Sequence, residues 1–327
     1  MINYSVEKTK ESIDFITFNI HDKLEITFAN IGASIFEIKF SDCAGNLENI
    51  VLTPNSRQYW IENRTFSGSI IGPLAGRYEI NDTSLEVNRP PYHFHGGNTG
   101  YDKKIWDFEI NELPYETQLI FTLNDLENHL KVKVIYSINQ HLQLKMAISA
   151  IATKKTHFNP TNHIYFNLSG NNQDTVESHT LYLSSNQYFV ENTEKVIIGS
   201  SKITKDDILD FSDLDGKSLK NLSTFDGLDT TFSLDKKKVG IISHPQSGRA
   251  VKINTTLPAA VVFTLNQPQI HFENKPKYSG ITFETQYPAN NLEKVMLKAG
   301  EEYFSETTYS FLNLKDKKMD GNSCNLI

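Results

Sequence analysis

Polar and apolar residues alternate with a period of two along most of the chain. The runs "DFITFNI", "LEITFAN", "SIFEIKF", "LIFTLND", "LKVKVIYSI" and "LQLKMAISAIA" fill much of the first half. "HTLYLSS", "GIISH", "AAVVFTLNQ" and "GITFETQ" follow in the second half. They are rich in β-branched and aromatic residues and are separated by clusters of Asn, Asp, Gly and Pro, which predicts strands at sandwich-like spacing. Helical signals are few. "SRQYWIEN" (56–63) opens on a capping Ser and predicts one or two turns, and "KDDILDFSD" (205–213) predicts a second short helix. "NLEKVMLKAGEEY" reads as surface turns, and the last residues, about 314–327, as a polar tail. The pattern predicts an all-β protein with many antiparallel strands in large stacked sheets. It forms one domain over residues 1–327, and a concave sheet face offers a groove for a polar ligand.

Composition narrows the partners. The formal net charge is -7 with no basic cluster, which argues against nucleic acid. No run reaches the roughly 18 apolar residues of a membrane span, and the N-terminus lacks a signal-peptide core. Cys43 and Cys324 form neither a metal spacing nor a disulfide framework. A cytoplasmic protein is expected. No G-x-G-x-x-G or Walker loop follows a strand, and no G-x-S-x-G elbow is present.

Four segments put ionisable residues where alternation calls for apolar ones, a conflict that marks function. In "IIGPLAGRYEIN" (70–81), Gly72, Pro73 and Gly76 form turns around Arg77; the residue is either a surface arginine or a donor to substrate oxygens. In "YHFHGGNTGYDKKIWDF" (92–108), His93 and His95 are two apart, which on a strand places them on one face. That spacing invites a metal, but no further ligand follows, and no metal is expected. "NPTNHIYFNLSG" (159–170) reads as a strand carrying His163 between Asn162 and Asn167. Taken alone, the commoner fate of such a histidine is a satisfied core position. "GITFETQYP" (280–288) carries Glu284 inside an apolar strand, where a half-buried carboxylate needs a donor or a raised pKa. "TFDGLDTTFSLD" (224–235) adds Asp226 and Asp229, for which turn chemistry is the plain alternative. Two imidazoles, a carboxylate, an arginine and an aspartate suit proton transfer on a polyhydroxylated substrate.

Taken in order, these segments resemble the aldose 1-epimerase (galactose mutarotase) family along nearly the whole chain. "GPLAGR", "HGGNTGYDKKIW", "NPTNHIYFNLSG", "GLDTTFSL" and "FETQYP" are similar to successive family motifs. The resemblance implies a large antiparallel β-supersandwich and interconversion of the anomers of free aldoses such as galactose and glucose. It implies His163 as general acid and Glu284 as general base, with Arg77, His95 and Asp229 binding the sugar. It implies no metal and no organic cofactor. The expected partner is a small-molecule sugar, and the expected state is a monomer or homodimer. Gly76, Thr230, Pro160 and Ala289 depart from common family residues and put substrate preference in question. The rivals are an epimerase for the reducing end of a disaccharide such as maltose and a non-catalytic carbohydrate-binding protein. A sugar-phosphate epimerase lacks a basic cluster beside the motifs, and a glycoside hydrolase would need two carboxylates at the scissile bond.

Overall fold

Each of the ten alternating runs becomes a strand, because period two places one row of side chains against a core and the other toward solvent or a second layer. The computed structural model describes residues 2–314 except 11, 55, 63–64, 81–84, 173, 206 and 270–271, so the tail expected after residue 314 lies outside the described residues. Among these residues the strands form large antiparallel sheets of five, nine and six strands, with three two-stranded pairs beside them. The nine-stranded sheet is built around the long strands Gln143–Ala152 and Glu302–Asn313, which pair along nine residues from Gln143 to Ile151. Phe18 and Phe40 from the five-stranded sheet, Tyr309 and Phe311 from the nine-stranded sheet, and Phe232 and Phe283 from the six-stranded sheet share one hydrophobic cluster.

The helix predicted at 56–63 is an α-helix, Arg57–Glu62, and the Ser56 hydroxyl accepts from the Tyr59 N–H at 3.0 Å as its cap. Its Trp60 packs on Phe15 and Phe36. The helix expected at 205–213 does not form among the described residues, which are in turns and irregular backbone. There the Asp207 and Asp210 side chains accept from the Leu209 and Ser212 N–H groups, and this local bonding competes with a helix. "NPTNHIYFNLSG" is not one strand. Thr161–Asn162 pairs with Ile70–Ile71, and Tyr165–Phe166 pairs with Ile281–Gln286. The chain changes partners between them, and His163 sits at the change.

Candidate active site

The six-stranded sheet supplies one wall of a cavity of about 690 Å³, a volume within the range of small-molecule sites. Alternate residues of three neighbouring strands face it: Asp229 and Thr231, Val261 and Phe263, Glu284 and Gln286. Phe232, Val262 and Phe283, on the opposite face of the same strands, lie in the core. Strand register orders the wall. Thr231, Val261 and Glu284 form one cross-strand row, and Asp229, Phe263, Thr282 and Tyr165 form the next. Asp229 and Glu284 are thus two strands and two residues apart, about 12 Å at Cα from ideal sheet spacings.

His163 is fixed by its backbone and by the asparagines around it. Its N–H donates to Ser69 O at 3.1 Å, and its carbonyl accepts from the Gly68 N–H at 2.9 Å. Asn162 Nδ2 donates to Gly68 O at 2.8 Å. Asn159 ties three parts of the site together: Nδ2 donates to the Tyr78 hydroxyl and to Tyr287 O, and Oδ1 accepts from the Tyr287 N–H. Asn167 Nδ2 donates to Asp174 O and Ser279 O. The asparagines that looked awkward in an apolar segment therefore satisfy backbone groups and fix the segments on either side of the histidine.

Arg77 and His95 come from a second wall. Arg77–Glu79 pairs with Tyr92–Phe94, and His95 follows that pair with a left-handed φ of 46°. This turn separates His95 from His93, so the two do not share a face as the two-residue spacing suggested. His93 Nδ1 pairs with Glu86 O at 2.8 Å, whereas His95 lines the cavity. Gly96 has φ of 79°, and a Cβ there would lie 2.0 Å from Gly72 O, so the His95 turn requires glycine. Two departures from the family pattern adjoin: a Cβ on Gly76 would lie 2.7 Å from the Ala289 Cβ. The Arg77 guanidinium lies 5.3 Å from the Phe94 ring centre and donates to Glu194 O, while its buried Nε has no partner among the described residues.

The electrostatic centre is the His163–Glu284 pair. Nε2 and Oε1 are 3.3 Å apart, and the residues are 4% and 3% exposed. Glu284 is thus fully buried rather than half-buried, and Oε1 accepts from the Thr282 hydroxyl at 3.0 Å. Burial disfavours charge on both groups. It lowers His163 from 6.5 to about 4, and it raises Glu284 from 4.5 to about 8, with Asp229 adding repulsion. Between these values the free pair carries one proton, and burial keeps both groups uncharged. Burial also lowers His95 well below its ordinary value, aided by His163 and by Arg89 and Arg77.

His95, His163 and Glu284 each bring a donor atom within 4.8 Å of the others, the composition of a metal site. The bonding at His95 opposes that use. Its Nδ1 accepts from the Gly76 N–H at 3.0 Å, so the proton of the neutral ring is on Nε2 and neither nitrogen has a free lone pair. A ligating histidine has the opposite arrangement, with its outer nitrogen donating. His95 instead presents an N–H donor.

All five expected site residues, His163, Glu284, Arg77, His95 and Asp229, line this one cavity. The cavity also takes in Tyr165, Glu191 and Lys195, which sequence reasoning missed. Tyr165 stands in the quoted histidine motif, but Glu191 ends a strand and Lys195 lies in the polar turn after it, with no distinguishing signal.

Two histidines and a buried carboxylate share one cavity with an arginine and an aspartate on large antiparallel sheets, an arrangement able to move protons on a small polar molecule. The sequence model of the aldose 1-epimerase family matches residues 14–310, and the chain belongs to that family of isomerases. Galactose mutarotase of Mus musculus is 27% identical over 318 residues, covering 89% of this chain and 92% of the mouse protein. Aldose 1-epimerase of Streptococcus thermophilus is 28% identical over 275 residues, covering 77% of each. The crystal structure of galactose 1-epimerase from Lactobacillus acidophilus NCFM superposes with a TM-score of 0.81 at 24% identity. It covers 96% of this chain and 99% of that one, and shows the same fold. No helix among the described residues is long and apolar enough to cross a membrane.

Proposed function

We propose that this chain is a mutarotase that interconverts the α and β anomers of free aldoses such as galactose and glucose. The observation that carries the reading is the 3.3 Å contact between the buried His163 Nε2 and Glu284 Oε1 in a cavity lined by both polar and aromatic side chains. Glu284, ionised, takes the proton of the C1 hydroxyl, and His163, as imidazolium, gives its proton to the ring oxygen. The C1–O5 bond breaks and the open aldehyde forms. Rotation about C1–C2 turns the other carbonyl face toward the hydroxyl. Reclosure returns the proton from Glu284 to O1, while His163 takes the one on O5. Each role contributes about 10²–10⁴-fold.

The protonation states give this cycle a direction. Ring opening ends with a neutral histidine and a protonated Glu284, the arrangement that burial favours in the free protein. Ring opening begins from the charged arrangement, which holds the same single proton on the other partner. Passing that proton across the contact prepares the pair. Sugar hydroxyls that donate to Glu284, with the cationic Arg77 nearby, stabilise the ionised carboxylate. Arg77, His95 and Asp229 hold the hydroxyls and ring oxygen so that C1 and O5 meet both catalysts together.

Polarimetry of freshly dissolved α-D-galactose or α-D-glucose tests the reading. Protein at micromolar concentration should speed the approach to equilibrium. A rate no faster than buffer on any aldose sinks the assignment. If His163→Ala or Glu284→Ala keeps the full rate, the assigned roles fail though the activity stands. The cavity is larger than one pyranose ring requires, which favours as second reading an epimerase for the reducing end of a disaccharide such as maltose. A non-catalytic carbohydrate-binding protein would have no use for the buried acid–base pair. In this reading residues 1–327 act as a single domain in the cytoplasm, as a monomer or homodimer.

A further inference from the structure

The strands Ser185–Glu191 and Ile197–Lys202 form a hairpin at the end of the six-stranded sheet, and its turn reaches the cavity. Asn192 Oδ1 accepts from the N–H groups of Glu194 and Val196, both at 3.0 Å, so the turn has a defined shape. From it Lys195 extends to Asp229. Its Nζ lies 3.2 Å from Asp229 Oδ2, 3.2 Å from Asp229 O and 3.6 Å from Glu191 Oε2. The neighbouring Glu194 carbonyl accepts from Arg77. Two of the three residues assigned to grip the sugar, Arg77 and Asp229 on different walls, therefore both meet adjacent residues of one hairpin.

We infer that Lys195 is a specificity-determining residue: with Asp229 it reads two neighbouring hydroxyls of the aldose. This rests on the mutarotase reading above. An ionised carboxylate only accepts hydrogen bonds and an ammonium only donates them. A hydroxyl does both, so one hydroxyl of a vicinal pair donates to Asp229 while the next accepts from Lys195. Their 3.2 Å separation suits hydroxyls in a gauche relation and fails for a pair pointing apart. Asp229 stands two strands and two residues from Glu284, so the hydroxyls read lie away from the anomeric carbon. Contacts remote from the reacting bond act alike in ground and transition states. Their loss raises KM and leaves kcat in place.

The test is polarimetric kinetics on the wild type, Lys195→Met and Lys195→Arg, with the preferred aldose and its analogues lacking one hydroxyl at a time. Lys195→Met should raise KM for the parent sugar about tenfold, the loss of one charge-assisted hydrogen bond, with kcat within about twofold. Lys195→Arg should recover most of the affinity. For one deoxy sugar, Lys195→Met and wild type should have the same KM. An unchanged KM for the parent sugar overturns the inference. So does an equal penalty for every deoxy sugar, since that marks a general field or folding effect. Titration calorimetry of the same sugars keeps the two readings apart. If the wild type does not catalyse mutarotation but Lys195→Met still binds the sugar more weakly than it does, the activity is refuted and the lysine's role stands.

Discussion

Replacing Glu284 with glutamine should slow the reaction sharply and stabilise the fold. The side chain is 3% exposed, and its pKa is raised from 4.5 to about 8, chiefly by burial. A folded state with the higher pKa binds the proton more tightly than the unfolded chain. Its contribution is therefore fully present below pH 4.5 and is lost as pH rises through 8. Glutamine has the same shape, still accepts from the Thr282 hydroxyl and never ionises. Relative to wild type, the variant should gain about 1.4 kcal/mol per pH unit between pH 4.5 and 8. Two and a half units bring this to about 3 kcal/mol at pH 7, with a plateau near 5 kcal/mol above pH 8. At about 2.1 cal/mol/K per residue, 327 residues give an unfolding entropy that turns 3 kcal/mol into a Tm rise of about 4 °C. The acid limb from His163 is common to both proteins and cancels. The assay is urea or thermal unfolding of both at pH 5, 7 and 9, with polarimetry of the same samples. Mutarotation should fall by about 10²–10⁴-fold. A stability difference that does not change with pH, or a glutamine variant less stable than wild type at pH 9, would refute the argument that burial governs this carboxyl.

The kcat/KM profile should form a plateau between about pH 4 and 8, because the pair holds its one working proton only in that window. Below it both groups are protonated and the base is gone; above it both are deprotonated and the acid is gone. An acid limb near pH 6.5 would instead mark an ordinary histidine. His163→Ala should lower kcat by about 10²–10⁴-fold while far-UV circular dichroism stays unchanged. Arg249 is fully buried and donates to Phe40 O, Leu168 O, Asn46 O and Glu48. Arg249→Met should lose about 3–5 kcal/mol in urea unfolding, since it removes the buried guanidinium's hydrogen bonds to the Glu48 carboxylate and to three carbonyls. Gly96→Ala should cut activity by turning His95 out of the cavity, because its Cβ would meet Gly72 O; full activity would show that the turn adapts.

Much of this protein was legible because its strands obey a simple period. All ten alternating runs became strands, and the Ser56 cap and its helix also formed, since each depends on near neighbours in the chain. The helix expected at 205–213 failed because two aspartates bond their own backbone. The shared face of His93 and His95 failed because the backbone turns left-handed at His95. His163, Glu284, Arg77, His95 and Asp229 could be named from the sequence because each breaks a pattern inside a recognisable motif. Nothing local distinguishes Lys195 from any other lysine in a polar turn.

The sequence by itself determined the ten strands, the Ser56-capped helix and five of the ionisable groups that line the cavity, because period, caps and motifs are written in adjacent residues. Tertiary structure decided what those groups can do. Register sets the rows that space Asp229 from Glu284, the change of strand partners brings His163 within 3.3 Å of Glu284, and a hairpin brings Lys195 to Asp229. It also reverses the order of the two pKa values, since desolvation depends on everything packed around a group and not on its neighbours in the chain.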